Sequence, residues 1–244
     1  MGYKKYILLL LFILCLSLCY YFFNIDLEIQ TGNLLTISTF LFAIFTGFFI
    51  YQQYERYANL RHALAEMDGE VTNIFRMSGH FGEKFKKKIG EHFKKKYKEI
   101  VDSKTWNVYI KNKSNVISFV HDAIEPFSKQ GQLPTIVSMA SDRIFDSLRE
   151  LQRNRKLQIA LELETMPFFH WLILYILATV LLVTLSLSFN TQFNLFFSIL
   201  KAIFASSVFL VLFLLKHLEN LDFFEVNLGE GTAKDFLDIF ANKK

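Results

Sequence analysis

Hydrophobic and polar positions are sharply segregated along the chain. Four almost uninterrupted apolar runs occupy residues 7–23, 34–51, 168–189 and 195–215, and a charged stretch of more than a hundred residues separates the second from the third. A helix needs roughly 20 apolar residues to cross a hydrocarbon core. Each run therefore predicts a transmembrane helix, and the layout predicts an all-α polytopic protein in which paired spans flank one aqueous helical domain. The expected divisions are 1–51 (spans one and two), 52–166 (cytoplasmic domain), 167–216 (spans three and four) and 217–244 (C-terminal tail). The first run begins after Lys4 and Lys5 as a secretory signal would, but it leads into Tyr20-Tyr21-Phe22-Phe23 rather than a small-residue cleavage site, so a retained anchor is expected.

Inside the charged stretch the pattern becomes helical with one apolar stripe. Tyr57, Leu60, Leu64, Met67, Val71 and Ile74 are spaced alternately three and four apart, which places them on one side of a helix. Between Tyr51 and Met77 there is no proline and only Gly69 as a weak break, so the second span is expected to run on into the cytoplasm as one long helix. Leu133, Val137, Ala140, Ile144, Leu148 and Leu151 mark a second helix leading back toward the bilayer, where Pro167 stops it. The near-repeat Phe85-Lys-Lys-Lys-Ile89 and Phe93-Lys-Lys-Lys-Tyr97 sets apolar residues four apart. It reads as a helix with its aromatic stripe buried in the bundle and its lysines in water; a basic amphipathic helix on anionic headgroups is the other reading.

Charge fixes the expected orientation. Residues 24–33 carry Asp26 and Glu28 and no Lys or Arg, residues 190–194 carry no charge, and 20 of the 27 Lys and Arg fall within 52–165. Positive segments are retained on the cytoplasmic side, so the middle and both termini are expected there, in a bacterial inner membrane. The net charge of +4 follows from this topology and does not call for a nucleic-acid partner. Overall, 52% of residues are hydrophobic and 28 are Phe, which sets the chain apart from ordinary soluble domains. Cys15 and Cys19 lie one turn apart within the first run, where they act as small apolar residues.

Signals of catalysis are missing. The six histidines are scattered, no phosphate-binding glycine loop is present, and no nucleophile motif occurs. An enzyme is not expected, and no cofactor is required. His121, Asp122 and Glu125 can share a helix face, an arrangement more often a surface cluster than a metal site. Lys201, some six residues into the fourth span, lies roughly 9 Å deep. Such a charge either borders an ion path or snorkels to the headgroups.

The second span is the most informative segment: Phe45-Thr-Gly47-Phe48, then Tyr54-Glu55-Arg56, then Arg61. This resembles the bacterial bestrophin pattern of Phe-x-Gly-Phe, a linker, Tyr-Asp-Arg and a further Arg five positions on. Tyr97, Trp106, the stretch Arg149, Arg153 and Arg155, and Pro167 followed by Trp171 add to the resemblance. Residues Phe49, Ile50 and Tyr51 replace polar positions of that pattern, Tyr57 and Ala58 replace paired tryptophans, and residues 221–224 lack its Asp-Pro-Phe-Gly. No acidic calcium clasp is visible, so calcium gating is not implied.

The resemblance implies a homo-oligomer, pentameric in bestrophins, that conducts inorganic ions passively through a pore lined by the second span. Phe40, Ile44 and Phe48 occupy the matching positions at i, i+4 and i+8 and would form an apolar constriction that closes by dewetting. Gly47, Tyr54, Arg56 and Arg61 are then structural motif positions, and Thr39, Ala43 and Gly47 form a small-residue face for close helix packing. The competing expectation is a membrane-anchored interaction or sensing protein acting through its cytoplasmic helices.

Overall fold

The computed structural model describes residues 11, 14–21, 32–103, 115–128, 134–187, 195–221, 234 and 237–238. Of the first apolar run, only residues 11 and 14–21 are described, and they are helical. The remainder of that run, Trp106, Leu133 and residues 24–31, 190–194 and 222–233 lie outside the described residues. Among the described residues all regular structure is helical: α1 (Gly32–Ser78), a 3-10 turn (Gly79–Phe81), α2 (Glu83–Ser103), α3 (Asn115–Ser128), α4 (Thr135–Leu163), α5 (Phe168–Leu187) and α6 (Leu195–Asn220). Three of these are long and apolar enough to cross a membrane, in segments Gly32–Phe81, Phe168–Leu187 and Leu195–Asn220.

The chain divides into two compact units, with boundaries after Tyr54, Glu164 and Asn220. Helix α1 contributes to both. Its 47 residues span about 70 Å at 1.5 Å per residue, and no proline interrupts it. It ends where Gly82 takes φ +100°, a conformation that costs a side-chain-bearing residue about 1 kcal/mol or more. The Gly82 N–H donates to the Gly79 carbonyl at 3.2 Å, and this turn reverses the chain into α2.

In the first unit, comprising the apolar part of α1 with α5 and α6, Phe49 packs with Met166, Trp171, Leu174 and Leu215. A second cluster joins Phe42 to Ala178, Leu181 and Val208. Pro167 precedes α5, and its carbonyl accepts from the His170 N–H at 3.0 Å.

In the second unit the three-and-four stripe of α1 is buried as its spacing predicts. Leu60 and Ile74 are fully enclosed, and Leu64, Met67 and Val71 nearly so. From α2 come Ile89, Phe93, Tyr97 and Ile100, from α3 Val120 and Ile124, and from α4 Ile144, Leu148 and Leu151, all in one core. The aromatic stripe of α2 is therefore interior, as expected of a bundle helix. The Tyr97 hydroxyl donates to Asp68 Oδ1 at 2.6 Å, which fixes the register of α2 on α1. Lys84, Lys87, Lys88, Lys94, Lys95 and Lys98 are exposed.

Leu221 has φ +59°, a left-handed conformation that usually calls for glycine just past a helix end. The side chain repays the strain. Leu221 is 4% exposed and packs with Leu60, Leu64 and Leu161; burial of a leucine contributes about 2 kcal/mol against about 1–2 kcal/mol for the conformation.

Candidate functional site

Within its first unit, α1 has two unlike faces. Ser38, Phe42, Thr46, Phe49 and Gln53 are buried and recur at three- and four-residue steps. Phe49 is tied in further by the His170 ring, 4.7 Å away between centroids. On the opposite face Phe40 is 63% exposed, Ile44 50% and Phe48 60%. Ala43 and Gly47 border the same open face, and Thr39 is half-buried. The stripe from Phe40 to Phe48 rises about 12 Å along the helix and continues to Tyr51, which is also exposed.

A Cβ built at Gly47 meets nothing within 4 Å. The close approach expected of the small-residue face thus does not occur among the described residues of a single chain.

The motif residues part company. Arg56 is 4% exposed and acts as the cap of α4: its Nε donates to the Leu161 carbonyl at 2.6 Å and a terminal nitrogen to the Glu162 carbonyl at 3.2 Å. A helix end leaves its last four carbonyls without intrahelical donors and carries partial negative charge, so a guanidinium with several N–H groups answers both needs at once. Only arginine, with its planar fork, reaches two successive carbonyls in this way. Tyr54 and Arg61 are exposed.

Lys201 is 3% exposed and donates to the Ser186 carbonyl at 3.1 Å, near the end of α5. Its ammonium also lies 6.0 Å from the Tyr20 ring centroid. The side chain is thus directed into the unit at the α5 end, where helical carbonyls favour a cation.

Sequence reasoning passed over Glu219. This residue is 6% exposed; its Oε1 accepts from the Met166 N–H at 3.0 Å and from Trp171 Nε1 at 3.2 Å, and its Oε2 pairs with Lys216 at 2.5 Å. Lys216 in turn lies 5.2 Å from the Trp171 ring centroid. The acid thereby ties the segment before α5 to the end of α6. The signal available was an acid three residues after Lys216 at the close of an apolar run, which looks like an ordinary helix end until Trp171 is placed beside it.

His121, Asp122 and Glu125 bring one potential ligand atom each within 4.8 Å of the others, and His121 and Asp122 are exposed. In the second unit His92 stacks flat on Phe119, with centroids 3.8 Å apart and planes 8° apart. Burial, reinforced by the charges of Lys96 and Lys95 and opposed by Glu99, holds its pKa below the ordinary 6.5.

A family model described as "Bestrophin-like domain" matches residues 6–221. The chain belongs to the bestrophin-like family. The matched region runs from the first apolar run to Leu221 and so contains the α1 stripe, Arg56 and the Glu219 cluster. No curated protein and no solved structure matches the chain. Membership in the bestrophin-like family, together with three apolar helices of spanning length, makes this a membrane protein.

Proposed function

We propose that this bestrophin-like protein is an oligomeric ion channel that conducts passively along an axis lined by α1, with Phe40, Ile44 and Phe48 forming an apolar constriction. One observation carries the reading: among the described residues α1 packs Phe42 and Phe49 into its own unit and leaves this stripe exposed over two turns. Side chains one turn apart on one helix would meet their symmetry copies in stacked rings around a closed axis. A narrow apolar ring conducts when wetted and blocks when it dries. Ala43 and Gly47, open beside the stripe, would let neighbouring copies of α1 approach closely.

Family membership supports a homo-oligomer, with a pentamer as the expected number, and inorganic ions as its cargo. In the accompanying topology four spans cross a bacterial inner membrane, residues 52–166 form the cytoplasmic domain, and both termini lie in the cytoplasm. Arg56 serves by fixing the end of α4, and Lys201 by holding the non-cytoplasmic end of α5.

The test is ion flux into liposomes containing the purified full chain, with chloride and potassium gradients compared for wild type and Phe48→Ala. Conduction that changes on removal of this side chain supports a pore lined by α1, and the gradient dependence names the ion. A folded oligomer without flux in either form overturns the channel and leaves a membrane-anchored interaction protein acting through its cytoplasmic helices.

A further inference from the structure

Helix α1 is a single helix of 47 residues, so its period relates the apolar stripe to positions further along the same element. At about 100° per residue, Glu55, His62 and Glu66 fall within about 40° of the direction of Ile44. All three are exposed, as are Ala58, Ala65 and Gly69 beside them. Residues 52–69 contain no lysine and two arginines. Arg61 is turned about 100° away from Ile44, and the buried Arg56 is engaged by the Leu161 and Glu162 carbonyls. The direction of the stripe therefore passes from hydrocarbon to carboxylate.

Residues 52–165 hold 20 of the 27 Lys and Arg, which would favour an anion if all acted together. Their distribution decides otherwise. Ile89, Phe93 and Tyr97 of α2 turn into the core that Met67, Val71 and Ile74 of α1 share, so the exposed lysines of α2 stand off the outer face of α1 by about two helix diameters, roughly 20 Å. Screening at physiological salt acts over about 8 Å. On α4, Arg149 lies 3.5 Å from Asp146 and Arg153 lies 3.2 Å from Glu150, so each has an acid at hand. Glu55 and Glu66 set the local potential on the outer face of α1.

We infer that the channel conducts cations and that Glu55 and Glu66 determine this preference, each supplying one acidic ring beyond the apolar constriction. The inference rests on the channel reading above, in which residues sharing the direction of Ile44 meet their symmetry copies around the same axis. Rings of acidic side chains select cations because they raise the local concentration of the opposite charge. Ala58, Ala65 and Gly69 carry no side chain long enough to cover the two carboxylates. His62 Nδ1 lies 3.5 Å from Glu66 Oε1, so the ring is to be measured at pH 8, where an ordinary imidazole is uncharged and leaves the carboxylate charge whole.

The experiment is the zero-current potential of the full chain in planar bilayers at pH 8 across a potassium chloride gradient, whose sign names the permeant ion whatever the conductance. Wild type should prefer potassium over chloride by about tenfold. E55Q/E66Q should lose most of that preference, and each single substitution part of it, whereas K94Q/K95Q/K98Q on the outer face of α2 should keep it. Chloride preference in wild type, wild-type selectivity in E55Q/E66Q, or an equal shift in the lysine variant overturns the assignment. Conduction that still responds to Phe48→Ala would in those cases leave the channel itself standing; a folded wild-type oligomer without conduction overturns both. Should the double variant fail to assemble, E55Q and E66Q decide singly, since both side chains are exposed.

Discussion

The two ends of α1 expose opposite kinds of residue. In the second unit the inner face carries Leu60, Leu64, Met67, Val71 and Ile74, and the outer face carries Arg61, His62, Glu66 and other groups that belong in water. In the first unit the inner face joins Ser38, Thr46 and Gln53 to Phe42 and Phe49, and Phe40, Ile44 and Phe48 point outward. Solvent accounts for the reversal. Water drives apolar side chains inward, whereas hydrocarbon exerts no such drive, so spans pack through small and polar groups instead. The buried hydroxyls follow from this: Ser38 returns to the Leu34 carbonyl at 2.6 Å and Ser206 to Ala202 at 2.7 Å, each satisfied within its own helix as hydrocarbon demands. Burial therefore ranks residues by structural weight in the second unit and carries no such ranking along the exposed stripe of the first.

The sharpest way to break this comparison is a matched pair of phenylalanines. Phe93 is 1% exposed and Phe48 60%. Phe93→Ala should destabilise the second unit by about 3–5 kcal/mol, read as an early transition in thermal or denaturant unfolding of the solubilised chain. Phe48→Ala should change that unfolding by no more than about 0.5 kcal/mol and act on flux instead. Equal destabilisation by the two would mean that the stripe is packed within its own chain after all.

Arg56 sharpens the comparison from the polar side. Arg56→Ala removes a charged donor from two carbonyls at the end of α4, and a loss of about 3 kcal/mol is expected. Arg56→Lys keeps the charge but reaches one carbonyl at best, so about half the loss should return. If lysine were no better than alanine, the helix-end charge would count for nothing and the fork geometry for everything.

A third test moves to the first unit, where buried polar groups hold helices together. Glu219→Ala strands the Met166 N–H and the Trp171 Nε1–H in a buried site, at a cost of about 2 kcal/mol. The chain has two tryptophans, so Trp106→Phe isolates the Trp171 emission. In that background Glu219→Ala should shift the Trp171 spectrum and lower the melting temperature, and an unchanged spectrum would show that the acid does not hold the indole.

The parts of this architecture legible in the sequence are those set by one repeating physical demand. The stripe from Leu60 to Ile74 and the α2 stripe from Ile89 to Tyr97 each follow a helical period, and the structure buries both. The extension of α1 through Gly69 was legible because nothing in residues 52–77 stops a helix. Roles that depend on partners distant in sequence were not. Arg56 meets α4 across 105 residues, and Glu219 meets Trp171 across 48; each looked like a motif letter or a helix-end charge. Lys201 stood out as an intramembrane charge, but its partner at Ser186 did not, because a backbone carbonyl leaves no side-chain signal in the sequence. The exposed stripe is the intermediate case: periodicity put Phe40, Ile44 and Phe48 on one face, and periodicity alone is the same for a pore, a lipid contact and a subunit seam.

The smallest expected effect concerns His92, a half-buried polar ring beside the apolar core of the second unit. Its Nε2 is enclosed without a hydrogen-bond partner among the described residues, its ring lies flat on Phe119, and desolvation first, then Lys96 and Lys95, keep its pKa below 6.5. The folded chain therefore resists a proton that the unfolded chain takes up near 6.5, and the unfolded state gains as the pH falls through that value. Stability of the second unit should be fully present above 6.5, decline below it, and level off once the folded imidazole also titrates. His92→Gln should flatten this dependence while leaving the Phe93 and Tyr97 packing in place. A slope below 6.5 that survives the substitution would assign it to other groups, and the stacked histidine would then be a passive part of the core.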